Sequence, residues 1–310
     1  MDIVESLSQH LQLTPNVVKA FLLRAPNKYK IYSIPKRTGG RRTIAQPSKE
    51  LKIYQSAFLE LFAFPINPSS MAYVKGVSIK DNAQMHRYNS YLLKMDFENF
   101  FNSITPELLF SSWSKSGVIL GESDELHLKK LLFWCPSKRA AGKHILSVGA
   151  PSSPSISNSV MCNFDELMQN ICKEKQIVYT RYADDMTFST KHKDILFQMP
   201  KLVELCLQSH FGNNILINNQ KTIFSSRAHN RHVTGVTIDN NSNLSLGRNR
   251  KRYIKHLIHQ YMISNLDEKD LEYVCGLLAH AKHIEPLFLK RLESKYSLEV
   301  IQNLLKRLPK

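Results

Sequence analysis

The apolar positions change period as the chain proceeds. Ile3, Val4, Leu7 and Leu11 share one face of a helix. Thr14 with Pro15 then opens a second helix whose buried face is predicted to carry Val17, Val18, Phe21 and Leu22. YKIYSIP (29–35) and RRTIAQP (41–47) are β-prone runs joined by KRTGG (36–40), which predicts a hairpin with a strongly basic tip. Helical spacing returns with Leu51, Tyr54, Phe58, Leu59 and Phe62. Residues 90–97 (SYLLKMDF) read as a strand, and Thr105 with Pro106 opens a helix bearing Leu108, Leu109 and Trp113. Residues 177–189 are β-branched and aromatic on both sides of a polar Ala-Asp-Asp, as in a hairpin with acids at its tip. Near the end Ile254, Leu257, Ile258, Tyr261 and Met262 follow a helix, with Lys251, Lys255 and His259 on another face. The order predicts an α+β fold followed by an all-helical tail.

Charge adds direction to this picture. Forty-two Lys and Arg against 26 Asp and Glu give a net charge of +16, which favours a polyanionic partner. A hydrophobic fraction of 43% argues against general disorder. No stretch approaches the roughly 18 apolar residues of a spanning helix. The acidic, amphipathic start lacks the order of a signal peptide. A cytoplasmic location and no membrane partner are therefore expected. Five cysteines without CxxC spacing suggest neither a disulfide framework nor a zinc site, and Cys275, His280 and His283 read as ordinary helix residues.

The tetrapeptide Tyr182-Ala183-Asp184-Asp185 carries the sharpest chemistry. Adjacent side chains on a strand point to opposite faces, so both aspartates can converge only where the backbone turns. Two carboxylates there repel unless a cation compensates them, and magnesium, with its preference for hard oxygen ligands, is the candidate. A third carboxylate is needed to hold two metals for in-line displacement at phosphorus, and Asp96 stands at the end of a strand. An Asp-Asp pair alone is also a common turn. Ser152 and His144 lack a GxSxG elbow, which argues against a hydrolase.

At this point the residues resemble a known family, the reverse transcriptases. LLKMDFENFFNSI (92–104) resembles their first catalytic motif and TRYADDMTFS (180–189) their second. VGAPSSP (148–154) resembles the segment facing the templating base pair, INNQKT (217–222) the later lysine motif, and RRTIAQPS (41–48) the fingers motif. NAQMH (82–86) fits the NAxxH element of the retron type, and HVTGVTI (232–238) carries its VTG triplet.

The resemblance implies a right-hand polymerase. Residues 1–90 would form N-terminal helices and fingers interleaved with the palm, 91–240 the palm, and 241–310 a helical thumb. It implies an RNA-directed DNA polymerase using two Mg2+ ions held by Asp96, Asp184, Asp185 and the backbone carbonyl of Phe97. Lys221 is a candidate general acid or a surface lysine. Arg42 is a candidate triphosphate contact or part of a solvated turn, with Arg41 a weaker candidate. Phe101 matches the steric gate, although on residues alone Phe100 and Phe101 read alike as core. Gly149 would allow close approach to the nascent base pair, and Val148 departs from the usual Gln. Asn82, His86, Val233, Thr234 and Gly235 are implied in recognition of RNA. Arg248, Arg250, Lys251, Arg252, Tyr253 and Lys255 would meet phosphates and sugars, unless they form a solvated helix face. Implied partners are deoxynucleoside triphosphates, a cognate non-coding RNA serving as template and primer, its branched DNA product, and a separate effector protein in anti-phage defence. No nuclease motif is seen, so a host RNase H would remove the template.

Overall fold

The computed structural model describes residues 2–35, 39–139 and 142–307. Helices α1 (Ile3–Leu11), α2 (Pro15–Arg24) and α3 (Lys49–Leu61) bury Ile3, Leu7, Val18, Leu22, Leu51 and Phe58 in one core. Thr14 takes the N-cap position of α2 but makes no side-chain capping bond, and Val17, expected inside, is 50% exposed. Between these helices β1 (Tyr29–Pro35) pairs antiparallel with β2 (Arg41–Pro47), Tyr29 opposite Pro47 and Pro35 opposite Arg41. Lys36, Arg37 and Thr38 of the basic tip lie outside the described residues.

Next come α4 (Ile79–His86), closed at its start by a reciprocal Ser78–Asp81 capping box, and β3 (Tyr91–Asp96). After them follow α5 (Phe100–Ser103), α6 (Pro106–Lys115), α7 (Glu122–Leu132), the short pair β4 (Phe133–Trp134) and β5 (Ile145–Leu146), and the long α8 (Ser153–Glu174). Strands β6 (Val178–Tyr182) and β7 (Asp185–Thr190) form the expected hairpin. Helix α9 (Met199–Phe211) leads on to β8 (Ile223–Ser226). The central sheet runs β6–β7–β3–β8, antiparallel throughout.

Alternation in β3 and β7 serves two cores. Leu93, Met95, Met186 and Phe188 face α8 and α9, whereas Leu92 joins Ala83 on the opposite side. That second core continues through β9 (Arg231–Val233), β10 (Val236–Ile238) and β11 (Leu244–Ser245). It extends into α10 (Arg248–Met262), α11 (Glu268–Ile284), α12 (Pro286–Tyr296) and α13 (Leu298–Lys306). The small β9–β11 sheet thus shares its packing with the C-terminal helices, so their common core starts at Val233 in this part of the chain. Among the described residues no helix is long and apolar enough to cross a membrane.

Candidate active site

Two adjacent aspartates reach one place because the backbone reverses between β6 and β7. Ala183 takes the left-handed conformation, φ 58°, and Asp184 follows before β7 begins. Strand register sets Asp96 directly opposite Asp185. Residues paired this way share a sheet face. Phe97 N–H donates to the Asp184 carbonyl at 3.1 Å, and Asn218 N–H donates to the Asp96 carbonyl at 2.7 Å. The end of β3 is therefore held from both sides.

The three carboxylates perturb one another. Partial burial, then the charge of Asp96, raises the Asp184 pKa. Asp185 keeps solvent on its outer side. Even so, packed protein beneath it, and then the charges of Asp184 and Asp96, push its carboxyl up to about 7. Lys221 is delivered by the 3-10 turn Asn219–Lys221, and its Nζ lies 2.9 Å from both oxygens of Asp96. Burial alone would lower the lysine pKa. The bond to Asp96 and the three carboxylate charges outweigh it and raise the value, so the ammonium stays charged. One cation against three carboxylates leaves a surplus of negative charge. An all-oxygen donor set of this kind suits a hard divalent ion. Among the described residues no three His, Cys, Asp or Glu side chains are gathered closely enough to hold a metal ion as they stand, and both Asp96 oxygens are engaged by Lys221. The donor chemistry fits a metal. Asp96 must share or release its lysine to take one.

A cavity of about 310 Å³ is lined by Lys52, Tyr73, Phe101, Val148, Gly149 and Ser153, among others. The two phenylalanines part company here. Phe100 is buried and stacks on Phe97 at 5.2 Å, whereas Phe101 meets Phe100 edge-on at 5.5 Å and forms cavity wall. Gly149 has φ 123°, and a Cβ there would sit 3.3 Å from Ile44 and 3.6 Å from the Ala45 carbonyl, so glycine is required. Val148 gives its carbonyl to Ala45 N–H at 3.2 Å and presents an apolar side chain to the wall. Arg42 and Arg41 also differ. Arg41 is tied to Ser33, Nε to Oγ at 2.7 Å, while the charge of Arg42 reaches Tyr73 and Asp184. The sequence did not point to Tyr73 or Ser153. The Ser152 and Ser153 hydroxyls are buried without a hydrogen-bond partner at the start of α8, where a serine pair reads merely as a helix cap.

A family model described as reverse transcriptase (RNA-dependent DNA polymerase) matches residues 34–238. The chain is 47% identical over 285 residues to retron Ec83 reverse transcriptase of Escherichia coli, covering 91% of each. It belongs to the retron reverse transcriptases. Retron Ec73 reverse transcriptase of Escherichia coli is 32% identical, over 91% of this chain and 92% of that one. Retron Mx65 reverse transcriptase of Myxococcus xanthus is 28% identical, over 93% and 70%. Among solved structures, a Candida albicans telomerase in complex with a fragment of telomeric RNA aligns at TM-score 0.48 and 13% identity, over 91% of this chain and 57% of that one. As a retron reverse transcriptase the chain is an RNA-directed DNA polymerase acting on nucleic-acid templates, and reverse transcriptases generally use divalent metal ions.

In this retron reverse transcriptase the NAxxH and VTG elements lie against each other. Asn82 Nδ2 donates to Thr234 Oγ1 at 3.4 Å. The ring of His86 sits between Ser189 Oγ at 2.7 Å and Thr180 Oγ1 at 2.8 Å, and Thr180 donates to Asn82 Oδ1 at 2.6 Å. Asn82 and His86 are 0% and 1% exposed, and these bonds fasten α4 to the central sheet. Val233 is likewise core, whereas Thr234 (φ 47°) and Gly235 (φ 82°) make a tight turn with Gly235 exposed. On α10, Arg248, Arg250, Arg252, Tyr253 and Lys255 are exposed. Lys251 is drawn to Glu285, 2.6 Å away, and Arg250 reaches His280 at 3.1 Å.

Proposed function

We propose that this reverse transcriptase copies part of a cognate structured RNA into single-stranded DNA joined to that RNA, with two Mg2+ ions held by Asp96, Asp184, Asp185 and the Phe97 carbonyl. The carrying observation is Asp96 facing Asp185 across neighbouring strands, with Asp184 at the adjoining turn. Bound there, such ions lower the pKa of the primer hydroxyl and neutralise the triphosphate and departing pyrophosphate. Arg42 grips the triphosphate through charge-assisted hydrogen bonds. Lys221, charged beside Asp96, holds at Nζ the proton that the leaving pyrophosphate takes. Phe101 closes the cavity beneath the sugar against a 2′-hydroxyl, and Gly149 admits the nascent base pair.

The exposed basic start of α10 and the Thr234–Gly235 turn take RNA phosphates. Retron kinship supports the remaining reading: priming from an internal guanosine 2′-hydroxyl, a 2′–5′ branched product, trimming by a host RNase H, and service in anti-phage defence with a separate effector protein.

The test is to purify the protein from cells carrying its neighbouring DNA and treat the bound nucleic acid with RNase, DNase and a 2′–5′ debranching enzyme. A short DNA released from RNA only by debranching is expected. RNA alone, with primer extension still present in vitro, would remove the branched-product part. RNA with no synthesis at any magnesium concentration would leave only an RNA-binding scaffold.

A further inference from the structure

We infer that Tyr73 contacts the incoming nucleotide as a second aromatic wall of the cavity lined by Phe101, and that Asn158 and Arg181 position it. The inference rests on the nucleotide pocket proposed above. Tyr73 lines that cavity together with Phe101 and Gly149, and it is 50% exposed although Met71 and Ala72 just before it are buried. Its φ of 61° is left-handed, a conformation that costs a residue with a Cβ on the order of 1 kcal/mol and persists only where the surroundings impose it.

The surroundings are explicit. Met71 N–H donates to the Arg181 carbonyl at 2.7 Å, Arg181 N–H donates to the Ser69 carbonyl at 2.8 Å, and Asn158 Nδ2 donates to the Ala72 carbonyl at 2.8 Å. Arg181 has no exposed surface. Its guanidinium forks onto Asp165, from Nε at 2.9 Å and NH2 at 2.7 Å. Its NH1 donates to the Ala183 carbonyl at 2.9 Å and to Asn158 Oδ1 at 3.3 Å. One buried cation therefore ties the residue before Asp184 and, through Asn158, the residue before Tyr73. The metal-side turn and the cavity wall take their positions from the same group.

The charges around the phenol indicate what it does. Burial, then the charges of Asp184 and Tyr182, keep the Tyr73 hydroxyl protonated, with Arg42 acting the other way. A neutral O–H at the wall of this cavity is a donor suited to an anionic oxygen of the triphosphate. The ring beside it offers an apolar face to the sugar or base.

The test is single-nucleotide incorporation by the full-length protein on an RNA template, with kcat and KM for deoxynucleoside triphosphate measured beside melting temperature and RNA retention. Tyr73→Phe should raise KM about five- to tenfold, the loss of one hydrogen bond to a charged group at a half-exposed site, with kcat within about twofold. Tyr73→Ala should raise it further. Asn158→Ala should move KM in the same direction while RNA retention holds. Phe101→Val serves as the control for the pocket itself. If Tyr73→Ala leaves KM unchanged while Phe101→Val alters discrimination between deoxy- and ribonucleotides, the pocket stands and the role of Tyr73 is overturned. If neither variant moves KM or discrimination, the pocket reading fails and carries this inference with it. If Asn158→Ala lowers the melting temperature without touching KM, the positioning claim is overturned.

Discussion

The acidic β6–β7 turn and the α4 junction lie on the same face of the central sheet and treat polar side chains in opposite ways. At the turn, Asp96, Asp184 and Asp185 crowd together with Lys221 as counter-charge, and Asp185 is pushed up to about 7. At the junction, Asn82, Asn89, His86, Thr180 and Ser189 satisfy one another, with Asn89 Nδ2 donating to Ser189 Oγ at 2.8 Å. The buried members of this set, Asn82, His86, Thr180 and Ser189, are bonded to one another or to Thr234 and Asn89. Two short motifs of similar length thus mark different things. Unbalanced charge marks a place where something must bind, whereas balanced hydrogen bonding marks a fastening.

The largest effect that could break this contrast is on chemistry. Asp96→Asn should lower the single-turnover rate of DNA synthesis by about a thousandfold, the order of several kcal/mol of lost metal stabilisation, with RNA binding intact. His86→Ala, by contrast, should act through stability.

Next in size is proton linkage at the turn. Because the Asp185 carboxyl sits near 7 and a metal takes only the carboxylate, magnesium affinity should weaken by up to about tenfold for each pH unit below 7. Magnesium titrations of activity at pH 6, 7 and 8 read this directly, and a pH-independent affinity would remove Asp185 from the metal.

Smaller, and opposite in kind, is the response of the junction. Burial lowers the His86 pKa from 6.5 to about 3. Its folded value thus lies below the unfolded one, and the unfolded chain takes up the proton first. Stability is complete above about 6.5 and is lost as pH falls towards 3, by about 2 kcal/mol between pH 7 and pH 5. Denaturant melts of wild type and His86→Asn should differ in this slope by one proton.

The smallest effect separates neighbours on α10. Arg252→Ala should reduce the salt dependence of RNA binding by about one counterion, since its side chain is exposed. Lys251→Ala should barely change that slope and should instead unpair Glu285. Equal salt slopes for the two variants would erase the distinction drawn from the structure.

The acidic hairpin at the candidate site was legible because it is local. The polar Ala-Asp-Asp between two β-prone runs specifies a turn without tertiary information, and Gly-Gly does the same between β1 and β2. What stayed hidden depends on contacts between distant segments. His86 reads as a polar helix residue until β6 and β7 are laid beneath it. Tyr73 carries no signal beyond a hydrophobic position before Gly76. Arg181 offered one clue. It shares strand parity with Tyr179, so a charge on a core-facing position demanded a buried partner, which Asp165 supplies from α8 at 2.7 Å. Val17 erred the other way, since helical spacing put it on the face of Val18, Phe21 and Leu22, which is buried, while Val17 itself stays half-exposed.

The most direct test compares Asp184→Asn/Asp185→Asn with wild type in one preparation, measuring magnesium-dependent DNA synthesis and retained RNA together. DNA synthesis abolished with RNA retention near wild type is the result predicted, since the proposed function assigns the chemistry to the turn and RNA contacts to other surfaces. Persisting DNA synthesis in the double variant would contradict the assignment of the metal site to this turn.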